Sequence, residues 1–167
     1  MLKAGSVLKE TFDELRHVTC VAHALHRLAE FVRSKHSTSD EFVSLMKKIL
    51  RKNNSNKKLY KEITKLPLPN HPVTSRWGTW LNSAIFYSNN ISTILLFIEN
   101  LDEHHSAASS KIHKLIENDL QTLKSELSNL SNVFQFLPIA ITKLEACQLV
   151  VDADSVLNDV KISLPNC

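Results

Sequence analysis

Four side chains of the kind that bind metals recur at every third position near the start of the chain. They are His17, Cys20, His23 and His26, and zinc accepts imidazole nitrogens and thiolates as ligands. In a continuous helix, steps of three residues turn successive side chains about 60° apart, so the four would spread over about half of the circumference. We therefore favour a structural, buried Cys20, the usual state of an unoxidised cysteine, over a zinc ligand or a catalytic thiol.

The dipeptide Arg76-Trp77 follows a proline-rich stretch and is the second candidate group. An aromatic ring beside an arginine can stack on a nucleic-acid base while the guanidinium holds a phosphate. The alternative interpretation is that Trp77 and Trp80 only pack their helix against the core. The residue types alone leave both interpretations open.

The segment from Lys47 to Lys65 is strongly basic. It contains eight Lys or Arg side chains and one acid, Glu62, so its local net charge is +7, whereas the whole chain carries +3. Such a segment attracts phosphates or another anionic surface, although solvated lysine-rich loops are also common. The candidate DNA contacts within it are Lys47, Lys48, Arg51, Lys52, Lys57 and Lys58.

Composition narrows the class of protein. Hydrophobic residues make up 43% of the 167 residues, enough for a real core and too many for global disorder. Only two glycines are present, which disfavours the tight turns of a sheet-rich fold and favours long helices. Three widely spaced cysteines indicate a reducing, intracellular setting without disulfides. No apolar run approaches the ~20 residues that a membrane helix needs.

Helical periodicity dominates the elements that must position these groups. Apolar spacing predicts helices over residues 6–15, 22–35, 40–52, 57–65, 91–101, 106–137, 139–149 and 152–161, and a further one, capped by Thr74 or Ser75, that runs to Ser88. The polar run Ser37–Asp40 is expected to cap the helix over 40–52. The run 17–20 is the one convincing strand. Three prolines predict an extended, stiff linker over residues 67–73.

Two of the predicted helices have distinctive apolar patterns. The helix over 91–101 is almost wholly apolar, which predicts burial on all sides. The helix over 106–137 carries a heptad seam, a stripe suited to one or two partner helices, which Pro138 should end or kink. The seam consists of Ile116, Leu120, Leu123, Leu127, Leu130, Phe134 and Leu137. Its partner is either the chain's own helices over 78–88, 91–101 and 139–149, or a second copy of the chain.

The sequences around the two motifs resemble a known family. His17-Val-Thr-Cys-Val-Ala-His-Ala-Leu-His-Arg27 and Pro72-Val-Thr-Ser-Arg-Trp-Gly-Thr-Trp80 are similar to the Cys-x-x-His and Arg-Trp motifs of hAT-superfamily DNA transposases. The similarity is greatest to the elements related to CGG triplet repeat-binding proteins. It covers residues 1–100 through specific motifs, and residues 101–167 through helical character alone.

The resemblance implies a fold and a set of roles. The implied fold is mainly α, a remnant RNase H-like strand–helix unit followed by a helical bundle, that is, a truncated α/β domain with a helical insertion. Cys20 and His23 would support the geometry near a DNA end. Trp77 would stack an extruded base and Arg76 would contact a phosphate or a carboxylate.

The family's chemistry requires three carboxylates that hold two metal ions, and this chain does not match that set. Asp13 and Glu14 lie too close to the cysteine motif, and later acids such as Asp152 and Asp154 lack a recognisable context. We expect no enzymatic activity, no metal and no cofactor. The expected function is a catalytically incomplete, transposase-derived protein that binds DNA or regulates transcription in the nucleus. The alternatives are a helical interaction or oligomerisation module without DNA binding, and a decayed fragment with no selected function.

The expected organisation has four parts. Residues 1–36 are the remnant RNase H-like core, 37–66 the basic helical segment, 67–73 the proline-rich linker, and 74–167 the helical region with the Arg-Trp motif and the seam. The expected partner is DNA, bound weakly and without sequence preference, with self-association through the seam as a further option. Neither a membrane nor a small-molecule substrate is expected.

Overall fold

The computed structural model describes residues 21–73 and 77–146, together with residues 155, 158, 159 and 162. The predicted helix over 6–15, the predicted strand over 17–20 and most of the predicted last helix lie outside the described residues. So do Cys20 and Arg76 of the two motifs.

Seven helices account for most of the described part of the chain. They are α1 (Val21–Lys35), α2 (Ser37–Lys52), α3 (Asn54–Thr64), α4 (Trp77–Asn89), α5 (Ile91–Glu99), α6 (Ala107–Phe134) and α7 (Phe136–Ala146), with a 3-10 turn at Glu103–His105. No β-strand occurs over residues 21–73 and 77–146. The mainly α class is therefore confirmed, whereas an RNase H-like strand unit has no support in this part of the chain.

The long helix α6 is the central element, and it packs along α2 and α4. Its buried apolar side chains are Ile112, Leu115, Leu123, Leu127 and Leu130. The backbone leaves helical geometry at Asp119 (φ −125°, ψ 20°). The buried row therefore changes phase there, and the predicted seam holds only over the second half of the helix.

The second half of the seam is covered by the chain itself. Leu123, Leu127 and Leu130 are at most 1% exposed. Of the predicted partners, α4 packs closely on α6, and α2, which the sequence did not suggest as a partner, packs along it as well. One hydrophobic core then continues through side chains of all seven helices.

The first turn of α2 differs from the prediction. The helix begins at Ser37, so the polar run 37–40 is part of the helix and not a cap before it. The side chain of His36, at the N-cap, makes no capping hydrogen bond. Instead, the backbone N–H of Ser39 donates to Glu126 Oε2 of α6 at 2.7 Å. A carboxylate at this position satisfies an otherwise free N–H and is favourable to the helix dipole.

Helix α5 is buried on one side only. Ile94, Phe97 and Ile98 are buried, and Phe97 packs edge-to-face on Tyr60 of α3 at 5.3 Å between ring centroids. Leu96, on the other side, is 52% exposed. The prediction of burial on all sides is therefore wrong, because α5 lies at the edge of the bundle, mainly against α3.

Within the described ranges, no single helix is both long and apolar enough to cross a membrane. The consecutive helical stretches Gly78–Asn89 and Ile91–Glu99 meet these criteria together, but they are bent by 83° at their junction.

The proline-rich segment contains no helix from residue 65 to residue 72 and is fastened to α4. Ser83 Oγ donates to the carbonyl oxygen of Asn70 at 2.6 Å, and the N–H of Val73 donates to Thr79 Oγ1 at 2.8 Å. These bonds hold the segment beside α4 on one side and leave its other side facing the basic residues of α2 and α3.

Candidate nucleic-acid interface

The positive charges of three predicted basic residues act on His71, an exposed residue of the proline-rich segment. Lys47 and Arg51 lie four residues apart on α2, which puts them on one face of the helix. Lys57 comes from the first turns of α3. Desolvation of the ring, and then the positive charges of Lys47, Arg51 and Lys57, lower the pKa of His71 below its usual value. We call these four residues the basic cluster.

Hydrogen bonds fix two of the cations. Lys47 Nζ donates to the carbonyl oxygen of Pro72 at 2.6 Å, and Lys57 Nζ lies 3.4 Å from Asn54 Oδ1. An ammonium group has three protons, so Lys47 keeps two for other acceptors. In the part of the chain that the structure describes, neither these two lysines nor Arg51 forms an ion pair. The positive charge of the cluster is therefore not neutralised by a neighbouring acid there.

Two of the remaining predicted contacts of the basic segment, Lys48 and Lys58, do not join the cluster. Lys48 and Lys58 are exposed, and neither is among the charges that act on His71. Lys48 lines a separate groove together with Lys111 of α6. Lys52 is the last residue of α2. The basic segment thus presents its charge in more than one direction.

The two motifs are described only in part. His23 is exposed on α1, whereas Cys20 lies outside the described residues. Trp77 is the first residue of α4, and its partner Arg76 again lies outside. The roles assigned to these residues stay predictions.

Two neighbours of the motifs have defined surroundings. Trp80 is 2% exposed, which agrees with the interpretation that it packs its helix against the core. His26 Nε2 lies 3.0 Å from Glu145 Oε1 of α7, which ties α1 to α7. Within the described residues, no group of three or more His, Cys, Asp or Glu side chains could hold a metal ion.

His71 is the site residue that the sequence interpretation missed. The sequence predicted only an extended, stiff linker over residues 67–73, which contain it. The spacing of Lys47 and Arg51 is visible in the sequence, but His71 comes near Lys47 and Arg51 because the proline-rich segment turns back towards α2 after α3. No local sequence signal predicts that the chain turns back there.

Comparison with known proteins assigns no family. No protein-family model matches the chain. No curated protein matches it, and no solved structure matches it either. The functional argument therefore rests on the basic cluster and on the two sequence motifs.

Proposed function

We propose that this protein binds DNA through the basic cluster, weakly and without sequence preference. The observation that carries the proposal is that Lys47 contacts the proline-rich segment, that Lys47, Arg51 and Lys57 all act on His71 through their positive charges, and that none of the three forms an ion pair among the described residues. Unpaired cations suit the phosphates of a nucleic-acid backbone, and phosphate contacts carry no sequence information of their own.

The proposed biological setting is that of a catalytically incomplete derivative of a hAT-type transposase, acting in the nucleus as a DNA-binding or transcription-regulatory protein. This proposal is supported by the similarity of the two sequence motifs to those of hAT transposases. The proposal includes a remnant RNase H-like unit. It also includes base stacking by Trp77, phosphate contact by Arg76 and a supporting role for Cys20 and His23. The lack of strand-transfer activity is part of it as well, since the family's carboxylate set is not matched.

The alternative of a helical oligomerisation module depends on a free apolar seam. Leu123, Leu127 and Leu130 are already covered by the chain's own helices. This observation favours DNA binding over self-association through the seam.

Neutralising the cluster tests the proposal. The triple variant Lys47→Gln, Arg51→Gln, Lys57→Gln is expected to lose most of its affinity for a duplex oligonucleotide at low salt, measured by fluorescence anisotropy. Glutamine keeps a donor for the Pro72 carbonyl, so the fold should be retained, which circular dichroism checks.

A matched control is the triple variant Arg27→Gln, Lys114→Gln, Lys124→Gln, which removes one arginine and two lysines from exposed positions elsewhere. It should bind nearly as well as the parent. If the two triple variants bind alike, attraction depends on total charge and not on the cluster. If the cluster variant binds like the parent, the cluster is only a solvated surface.

A further inference from the structure

A small cavity lies between α1, α2, α4 and the proline-rich segment. Its volume is about 120 Å³, and its polar lining comes from Arg33, Asp40, Ser44, Lys47 and Trp80. The neighbouring carbonyl of Pro72 already accepts a hydrogen bond from Lys47. The cavity is therefore small, lined by both polar and apolar residues (among the latter Val43 and Val73), and built by separate elements.

The buried indole of Trp80 has an unused donor. Its ring is 2% exposed, and its Nε1–H has no hydrogen-bond acceptor among the described residues. Buried donors in folded proteins almost always have an acceptor, so an unpaired one indicates a water, an ion or a ligand. Trp80 also lines the cavity, which makes the cavity a candidate place for that acceptor.

The charge of the lining favours an anion over water. Arg33 Nε donates to Asp40 Oδ1 at 2.6 Å, and Arg33 Nη2 donates to Asp40 Oδ2 at 3.0 Å. This two-bond pairing cancels both charges. Lys47 adds one positive charge and has two ammonium protons beyond the one given to Pro72. The lining as a whole is thus positive.

We propose that this cavity binds a phosphate group. Its donors are the ammonium of Lys47, the hydroxyl of Ser44 and the indole N–H of Trp80, which come from two helices. Three donors match the three oxygens of a phosphate group better than the two oxygens of a carboxylate. The phosphate is either inorganic phosphate or the terminal phosphate of a nucleic acid. This site does not depend on binding of duplex DNA to the basic cluster, although it shares Lys47 with it.

The indole proton of Trp80 reports directly on the site. The chain contains two tryptophans, so a proton–nitrogen NMR spectrum contains two indole signals, and the signal that disappears in Trp80→Phe belongs to Trp80. Titration with inorganic phosphate, at an ionic strength held constant with chloride, should shift that signal until it saturates. Lys47→Met should weaken the response, whereas Lys58→Met, at an exposed lysine outside the cavity, should leave it unchanged.

Further titrations separate the sources of phosphate. An oligonucleotide with a 5′ phosphate is compared with the same oligonucleotide without it, and sodium acetate serves as the planar anion. Saturation by inorganic phosphate supports a free phosphate, and saturation by the phosphorylated oligonucleotide alone supports a nucleic-acid end. The proposal is overturned if neither phosphate source gives saturation, which would leave water as the acceptor, or if acetate acts as well as phosphate. Loss of duplex binding with a retained phosphate response would reject only the proposed function.

Discussion

His71 links the charge of the basic cluster to pH. In the free protein its pKa is lowered by desolvation and by three neighbouring cations, so the neutral ring is favoured. The unfolded chain then binds the proton more readily than the folded chain does. Stability should therefore fall as the pH decreases through the ordinary histidine value of about 6.5 towards the lowered pKa of the folded state.

Phosphate binding should reverse this effect on His71. A phosphate beside the ring offsets the three cations and favours the protonated form, so binding takes up a proton. We expect the affinity for duplex DNA to rise between about pH 7.5 and 5.5 at constant ionic strength. The variant His71→Gln should show a flatter dependence, and His104→Gln, at an exposed histidine that is not part of the cluster, should behave like the parent. Equal pH dependence in parent and His71→Gln would remove His71 from the interface.

Sequence reasoning is informative at single residues where local spacing decides the outcome. The predicted helix over 40–52 implies that Lys47 and Arg51, four residues apart, share a helix face, and the burial of Trp80 agrees with the packing interpretation of this ring. It fails where the partner is distant in sequence. The hydrogen bond between Ser39 and Glu126 joins residues 87 positions apart, and neither residue type predicts it.

Glu126 stabilises the beginning of α2 from another helix. Removing its carboxylate in Glu126→Ala leaves the buried N–H of Ser39 without its acceptor, which should cost about 0.5–2 kcal/mol of unfolding free energy, as loss of a helix cap does. Glu126→Gln keeps an oxygen acceptor and should cost less. Urea denaturation measures both.

The control for this capping contact is Glu117→Ala, which removes an exposed acid from the same helix. It should change the unfolding free energy by less than about 0.5 kcal/mol. If Glu126→Ala is no more destabilising than Glu117→Ala, the carboxylate does not cap α2.

Periodicity predicted the helices within the described residues but not all of their ends. The end of α6 was expected near Pro138. The structure ends α6 at Phe134 and places Pro138 in the first turn of α7, where its missing N–H costs no hydrogen bond. The apolar spacing likewise does not predict the kink at Asp119. Such ends depend on tertiary contacts, which spacing along the chain does not contain.

The single core makes the seam leucines essential to the whole molecule. Leu123 and Leu127 are 0% and 1% exposed, so the double variant Leu123→Ala, Leu127→Ala should cost about 4–8 kcal/mol, enough to unfold a domain of ordinary stability. The exposed Leu96→Ala should cost far less. Thermal denaturation followed by circular dichroism distinguishes them, and similar losses would contradict the assigned burial.

The covered seam also predicts the association state. Sedimentation of the parent chain across micromolar concentrations should show a monomer, because the apolar stripe that would join two copies is already packed inside one. A dimer whose population rises with concentration would support the oligomerisation module instead.

At the scale of the whole molecule, composition and periodicity predicted the helical class correctly. The chain has only two glycines and repeated apolar residues at helical spacing, and both features disfavour a β-sheet fold. The partners of each helix within the bundle were harder to predict, since α2 covers α6 although its last residues, from Lys47 on, belong to the basic segment. One face of α2 carries the apolar core residues and another the cations, and only the fold assigns the two faces.

The salt dependence of DNA binding tests the central claim most directly. If Lys47, Arg51 and Lys57 each contact a phosphate, the logarithm of the association constant should fall against the logarithm of salt concentration with a slope of about −3 or steeper. Neutralising the three should reduce the magnitude of that slope by about 2–3. Binding that does not weaken with salt, or equal slopes for the parent and the neutralised variant, would contradict the account.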